Sequence, residues 1–138
     1  FSQMMFMYKL NLQNLQERNW IGSKITHKKN ITDMQSLRDL KFKDYPFWRI
    51  DKRHFQIIKG GWHFSFLQTP EDIARKIKSF SHGEFNTNSN SDISNIEKKI
   101  SKGLDVLNRG FDLKKINIDE SYPEYIRNNK KIFNKWIV

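Results

Sequence analysis

The alternation of apolar and polar side chains is clearest between Ile58 and Leu67. Read as a strand, Ile58, Trp62, Phe64 and Phe66 fall on one face, and Gly61, His63, Ser65 and Leu67 on the other. The pattern predicts a strand over 55–67 whose first face is core. The period then changes. Ile73, Ala74, Ile77 and Phe80 form a stripe at helical spacing, preceded by a capping Thr69, by Pro70 at the first helical position and by the acidic pair Glu71-Asp72. A helix over 70–81 follows, with Gly83 as its expected left-handed terminator.

The rest of the chain reads more coarsely. Residues 3–12 alternate as one strand, with Met5, Met7 and Lys9 opposite Met4, Phe6, Tyr8 and Leu10. Trp20-Ile21-Gly22-Ser23 predicts a turn into a short strand at 24–27. Thr32-Asp33 opens a short helix with Met34, Leu37 and Leu40 on one face. Asp44 to Arg49 is an aromatic loop, since the residue before Pro46 resists helix. The polar run 86–91 is expected to be the softest segment. Ser91 or Asp92 then caps a helix carrying Ile93, Ile96, Ile100 and Leu104. Asn108-Arg109-Gly110 turns the chain, Pro123 begins a last short helix, and Ile132, Phe133, Trp136 and Ile137 dock the terminus. With no internal repeat and no boundary signal, residues 1–138 read as one α/β unit.

Composition narrows the class. The chain has 138 residues, 37% apolar, with eleven Phe, too many for a disordered tail. It has no cysteine, hence no disulfide framework or thiolate metal site. No run approaches the ~20 apolar residues of a membrane span. The net charge of +10 raises nucleic-acid binding, but the lysines are dispersed and the Asn- and Ile-rich, Ala-poor composition accounts for them without a binding role. A basic face that recruits nucleotide-sugars or meets a membrane peripherally fits somewhat better, and a solvated surface best of all.

Chemistry concentrates in Gly60 to Asn86. If the strand climbs about 20 Å from His63 to Thr69 and the helix returns alongside it over about 18–20 Å, His82 and Glu84 come back level with His63 and Ser65. That would gather two imidazoles, a carboxylate and a hydroxyl, with Gly61 leaving room for a ligand.

The same segment carries a family likeness. Gly61-Trp62-His63-Phe64-Ser65, the Thr69-Pro70-Glu71 helix, Ser81-His82-Gly83-Glu84-Phe85-Asn86, a second amphipathic helix and the Asn108-Arg109-Gly110 turn resemble glycosyltransferase family 17. That family contains the β-1,4-mannosyl-glycoprotein N-acetylglucosaminyltransferases. The likeness extends to Phe6–Leu12, Asn19–Ser23 and Tyr122–Ile126, and so covers nearly the whole chain. It implies the C-terminal portion of a GT-A-like α/β domain, a short mixed sheet with covering helices. It also implies transfer of N-acetylglucosamine from UDP-GlcNAc to a glycan hydroxyl with inversion, assisted by divalent manganese or magnesium. Eukaryotic relatives are membrane-anchored in the Golgi; microbial or viral ones would be cytoplasmic.

The family's upstream Asp-x-Asp motif, expected to hold metal and sugar nucleotide, does not occur here. With the start at Phe1 inside an apolar run, this reads as the C-terminal half of a longer enzyme, inactive by itself.

On that likeness His63 is the metal ligand; from its residues alone, a histidine hydrogen-bonded inside the sheet stands beside that role. Glu84, with His82, is the candidate general base; the pair could equally fix the turn, and Asp44, Asp51 and Glu71 are other bases. Ser65 lines the nucleotide side, where Arg49 and Arg53 suit a diphosphate by forked pairing or serve as surface cations. Trp48 is the expected acceptor contact. Trp62 is a sugar-stacking candidate whose position also suits the core, and Tyr45 and Trp20 are further aromatic candidates. The alternative is a non-catalytic, basic, aromatic-rich binding module for glycans or nucleic acid.

Overall fold

A computed structural model describes residues 1–16, 20–39, 48, 57–79 and 83–138. The chain divides into two compact units, one of Phe1–Met4 and Asn19–His63, the other of Met5–Arg18 and Phe64–Val138. The described strands are β1 (Met4–Met7), β2 (Leu12–Asn14), β3 (Trp62–Ser65) and β4 (Leu113–Lys115), in the order β3-β1-β2-β4. β1 with β2 and β2 with β4 are antiparallel, Phe6 lying opposite Gln13 and Leu12 opposite Lys115. β3 runs parallel to β1: Met4 N donates to Gly61 O and Tyr8 N to Ser65 O, a constant offset that only parallel strands give. The sheet is therefore mixed, and the protein is α/β.

The predicted strand over 3–12 is instead a hairpin. Tyr8 has φ 65, which reverses the chain into β2. A tyrosine holds that unfavoured conformation because its phenol is anchored far away, as described below. As an interior strand β1 is covered on both faces, so Met5, Phe6, Met7 and Tyr8 are all buried, not one alternate set. The predicted strand over 55–67 is shortened to β3, its residues 55–56 lying outside the described ones. Residues 58–59 form a turn and Ile58 is 74% exposed, so it does not share the core face. Gly61 sits at φ 127, and a Cβ on Gly60 would meet the Phe1 Cβ at 2.8 Å. Gly61 is thus required by its backbone conformation and Gly60 by the close approach of Phe1. No strand forms at 24–27; a 3₁₀ turn at Lys28–Asn30 follows instead.

In the first unit, α1 (Met34–Asp39) starts as predicted, with Asp33 Oδ1 accepting from Ser36 N at 2.7 Å. Leu40 lies outside the described residues, and Met34 is exposed, so the expected apolar face is not buried.

Among the described residues, the buried apolar side chains lie in the second unit. α2 (Pro70–Lys78) begins at Thr69, whose hydroxyl accepts from Asp72 N, and buries Ile73, Ala74 and Ile77. α4 (Ile93–Ser101) is capped by Asp92 and buries Ile96 and Ile100; Ile93 and Leu104 are exposed, Leu104 lying past the helix end. Each fully buried isoleucine contributes about 1.5–3 kcal/mol. Phe6 contacts Phe64 and Tyr122 with ring centroids 5.4 and 5.5 Å apart. α2 ends at Lys78 with Ser79 as its C-cap, so Gly83 is not its terminator; it opens a 3₁₀ turn through Phe85.

The polar run expected to be soft is ordered by its own side chains. Thr87 caps α3 (Asn88–Ser91), and Asn90 is buried, donating to Phe85 O at 3.1 Å and accepting from Asn108 Nδ2 at 3.4 Å. α5 (Glu124–Asn128) starts after Pro123. The terminus docks through backbone: Leu10 N donates to Trp136 O, and the Asn11 side chain bonds Ile116 O and both backbone groups of Val138. Phe133, Trp136 and Ile137 are half-buried there, whereas Ile132 is exposed.

Candidate functional site

In the first unit, two segments remote in sequence meet around one aromatic ring. Trp20 forms an antiparallel bridge with Gln3, exchanging hydrogen bonds of 2.8 and 2.9 Å. That pairing aims the indole at His63, the second residue of β3. The two rings stack with centroids 3.7 Å apart and planes 15° apart. On Gly22, a Cβ would lie 1.7 Å from Trp20 Cη2 and 2.0 Å from Cζ2. The indole thus lies between the His63 ring and a glycine that must stay bare. Ser23 Oγ donates to Gln3 Oε1 at 2.9 Å and ties the same turn to the first residues.

The stack fixes one face of the imidazole. Its nitrogens lie in the ring plane, so any proton, metal or ligand is engaged from the ring edge, off the stacked face. Gly22 also lines a groove of about 380 Å³ with Lys24, Met34, Gln35, Leu37 and Arg38. Its wall is held by Lys24 Nζ, which donates to Arg38 O at 2.6 Å.

Among the described residues no three His, Asp or Glu side chains come together in a way that could hold a metal ion.

The other predicted site residues fall as follows. Trp62 is half-buried beside His63 in β3, where all four residues are half-buried and neither face is more buried than the other, and Phe64 of that strand packs on Phe6. Ser65, the last residue of β3 and part of the second unit, gives its carbonyl to Tyr8 N and is half-buried. Glu84 is exposed in the 3₁₀ turn of the second unit. Trp48 is 66% exposed. His82, Arg49 and Arg53 lie outside the described residues, as do Tyr45, Asp44 and Asp51. The strand and helix whose lengths were to bring His82 and Glu84 level with His63 are shorter than predicted, and His82 lies outside the described residues. β3 stops at Ser65, Phe66 turns the chain at φ 53, and α2 stops at Lys78.

A second polar cluster escapes sequence reading. In the second unit the Tyr8 hydroxyl donates to Asp105 Oδ1 at 2.6 Å and accepts from Val106 N at 3.1 Å. Arg109 binds the same carboxylate in forked fashion, Nη2 to Oδ1 at 2.8 Å and Nε to Oδ2 at 3.0 Å, while its backbone N donates to Oδ2 at 2.7 Å. Burial pushes the Tyr8 phenol well above the ordinary range, and the neighbouring Asp105 charge adds to it. Burial alone would raise Asp105, yet hydrogen bonds from Arg109 and Tyr8 hold its carboxyl below the usual range. Both acceptor oxygens are thereby engaged, and the cluster braces the hairpin turn against the Asn108-Arg109-Gly110 turn. The only local hint was the Asp105–Arg109 spacing, close enough for a turn to pair them.

No family model, no curated protein and no solved structure matches this chain.

Proposed function

We propose that this chain is the C-terminal portion of a glycosyltransferase resembling family 17. It would serve transfer of N-acetylglucosamine from UDP-GlcNAc to a glycan hydroxyl with inversion. The observation that carries the reading is the Trp20–His63 stack. It joins two of the segments on which the likeness rests, Asn19–Ser23 and Gly61–Ser65, and gives His63 one fixed orientation.

A bound divalent metal would neutralise the charge growing on the departing diphosphate. His63, its ring plane set by Trp20, would supply one imidazole nitrogen to hold such a metal. Inversion requires the acceptor oxygen to approach the anomeric carbon opposite the diphosphate while a base takes its proton. Glu84, with His82, is the proposed base, and Trp48 offers an exposed ring for the acceptor sugar. Arg49 and Arg53 are the proposed diphosphate partners.

Joined to a segment bearing the acidic Asp-x-Asp motif, the chain should transfer N-acetylglucosamine to a mannose-containing acceptor. His63→Ala should lower that turnover by about a hundredfold or more. This chain alone should give none. Full activity in the His63→Ala protein would remove His63 from the reaction, and an inert joined protein that does not bind UDP-GlcNAc would end the glycosyltransferase reading. The second reading, a non-catalytic glycan-binding module, draws on the exposed Trp48 ring. It predicts glycan binding, without turnover, that is lost in Trp48→Ala.

A further inference from the structure

Among the described residues, two side-chain atoms of the second unit are sealed from solvent without a hydrogen-bond partner, Gln68 Oε1 and Arg127 Nε. The first is a neutral amide oxygen. The second belongs to a guanidinium, and a charged donor withdrawn from water without a partner is among the costlier features a fold can hold. Arg127 stands in α5 and is half-buried. Among the described residues no carboxylate, carbonyl or ring engages its guanidinium. Glu124, one turn earlier on the helix, accepts from Asn128 Nδ2 at 3.5 Å instead. The carbonyls that end α5 are taken as well, Tyr125 O by Asn129 Nδ2 at 2.8 Å and Ile126 O by Asn129 N at 3.3 Å. Arg109, half-buried in the same unit, has Nε and Nη2 both on Asp105. The fold pairs one guanidinium fully and leaves the other open.

Charge and geometry name the missing partner. Residues 122–135 carry Arg127, Lys130, Lys131 and Lys135 against Glu124, so the local potential favours an anion. Of the three guanidinium nitrogens only Nε is both sealed and unpaired, so the Nη pair is the edge that an incoming group meets. A phosphate group offers that fork two oxygens at once and carries more charge than a carboxylate. We propose that Arg127 anchors a binding site for the phosphate of a small molecule. A nucleic acid or a bilayer surface engages rows of exposed cations; one recessed guanidinium suits a single phosphate group. A free diphosphate and a nucleoside diphosphate share this chemistry.

The test is thermal melting of the chain in about 10 mM pyrophosphate against sodium chloride of equal ionic strength. Pyrophosphate should raise the melting temperature by about 2 °C or more. Arg127→Met keeps the apolar stem and loses no partner, so it should melt no lower than the wild type in chloride. It should not respond to pyrophosphate. Lys131→Ala removes the same charge from the same segment and should keep at least about half of the shift. Calorimetric titration with UDP and with pyrophosphate separates the two sources. Tighter UDP binding assigns a nucleoside diphosphate and equal affinity a bare diphosphate, each lowered at least about tenfold by Arg127→Met. The proposal is overturned by the absence of a wild-type shift, by a shift that survives Arg127→Met, or by one equally lost in Lys131→Ala. An Arg127→Met chain that unfolds, or melts well below the wild type in chloride, also overturns it by showing the guanidinium to be paired within the protein. An equal shift with succinate would overturn the phosphate assignment. None of these outcomes depends on sugar transfer.

Discussion

The indole of Trp20 lies flat on the imidazole of His63, centroids 3.7 Å apart, with the bare backbone of Gly22 behind it. Both the orientation of His63 and the shape of the 20–23 turn depend on that sandwich. Gly22→Ala should push the indole off its place, because the new methyl would overlap the ring and His63 occupies its other side. The expected cost is about 1–3 kcal/mol where the turn cannot relax. The His63 ring protons, shifted upfield by the indole in the wild type, should move toward their free values in the NMR spectrum. Unchanged His63 shifts in the variant would show that the stack does not depend on Gly22.

Tyr8→Phe removes the hydroxyl that serves both Asp105 and Val106 N, leaving a buried donor unpaired. A loss of about 1–3 kcal/mol is expected in urea unfolding. Asp105→Ala should cost more, about 3 kcal/mol or above, because it strands the half-buried Arg109 guanidinium and the Tyr8 hydroxyl together. If Tyr8→Phe proves the more damaging of the two, the carboxylate is not the centre of the cluster.

Stability should fall at both ends of the pH range for opposite reasons. The Asp105 carboxyl is held below its unfolded value, so its contribution is present above about pH 4 and is lost as pH falls through the depressed folded value. Asp33 and Asp119, hydrogen-bonded by Ser36 and Ser121, are lowered too and act in the same acidic window. The Tyr8 and Tyr122 phenols are raised, mainly by burial. Their contribution is present below about pH 10 and declines as pH climbs beyond it, since the unfolded phenols ionise first. Thermal melts across pH should show both declines. Tyr8→Phe should flatten the alkaline one, and an unaltered alkaline limb would exclude Tyr8 as its source.

Asn90→Ala should loosen the 85–91 segment. The amide donates to Phe85 O and accepts from Asn108, and its backbone N is taken by Thr87 Oγ1. A loss of about 1–2 kcal/mol is expected, with new proteolytic cutting within residues 85–91. Equal protease resistance in wild type and variant would show the side chain to be dispensable there.

Local chemistry made parts of this protein legible from its residues. The starts of α1, α2 and α4 follow from Asp33, Thr69 and Asp92, each bonding a backbone N–H three residues on, and a cap of that reach is visible in any short window. The faces of α2 and α4 follow from Ile73, Ile77, Ile96 and Ile100 at helical spacing. The α/β class and the adjacency of His63 and Trp62 on one strand were fixed at the same level.

Tertiary structure alone decided the rest. Tyr8 reverses the chain although tyrosine disfavours positive φ, because its hydroxyl is paired 97 residues away. Trp20 reaches His63, Asn90 reaches Asn108, and Gly60 closes on Phe1. Alternation says which faces turn inward but not which distant partner fills them. That choice is settled by packing and by the need of each buried polar group for a partner.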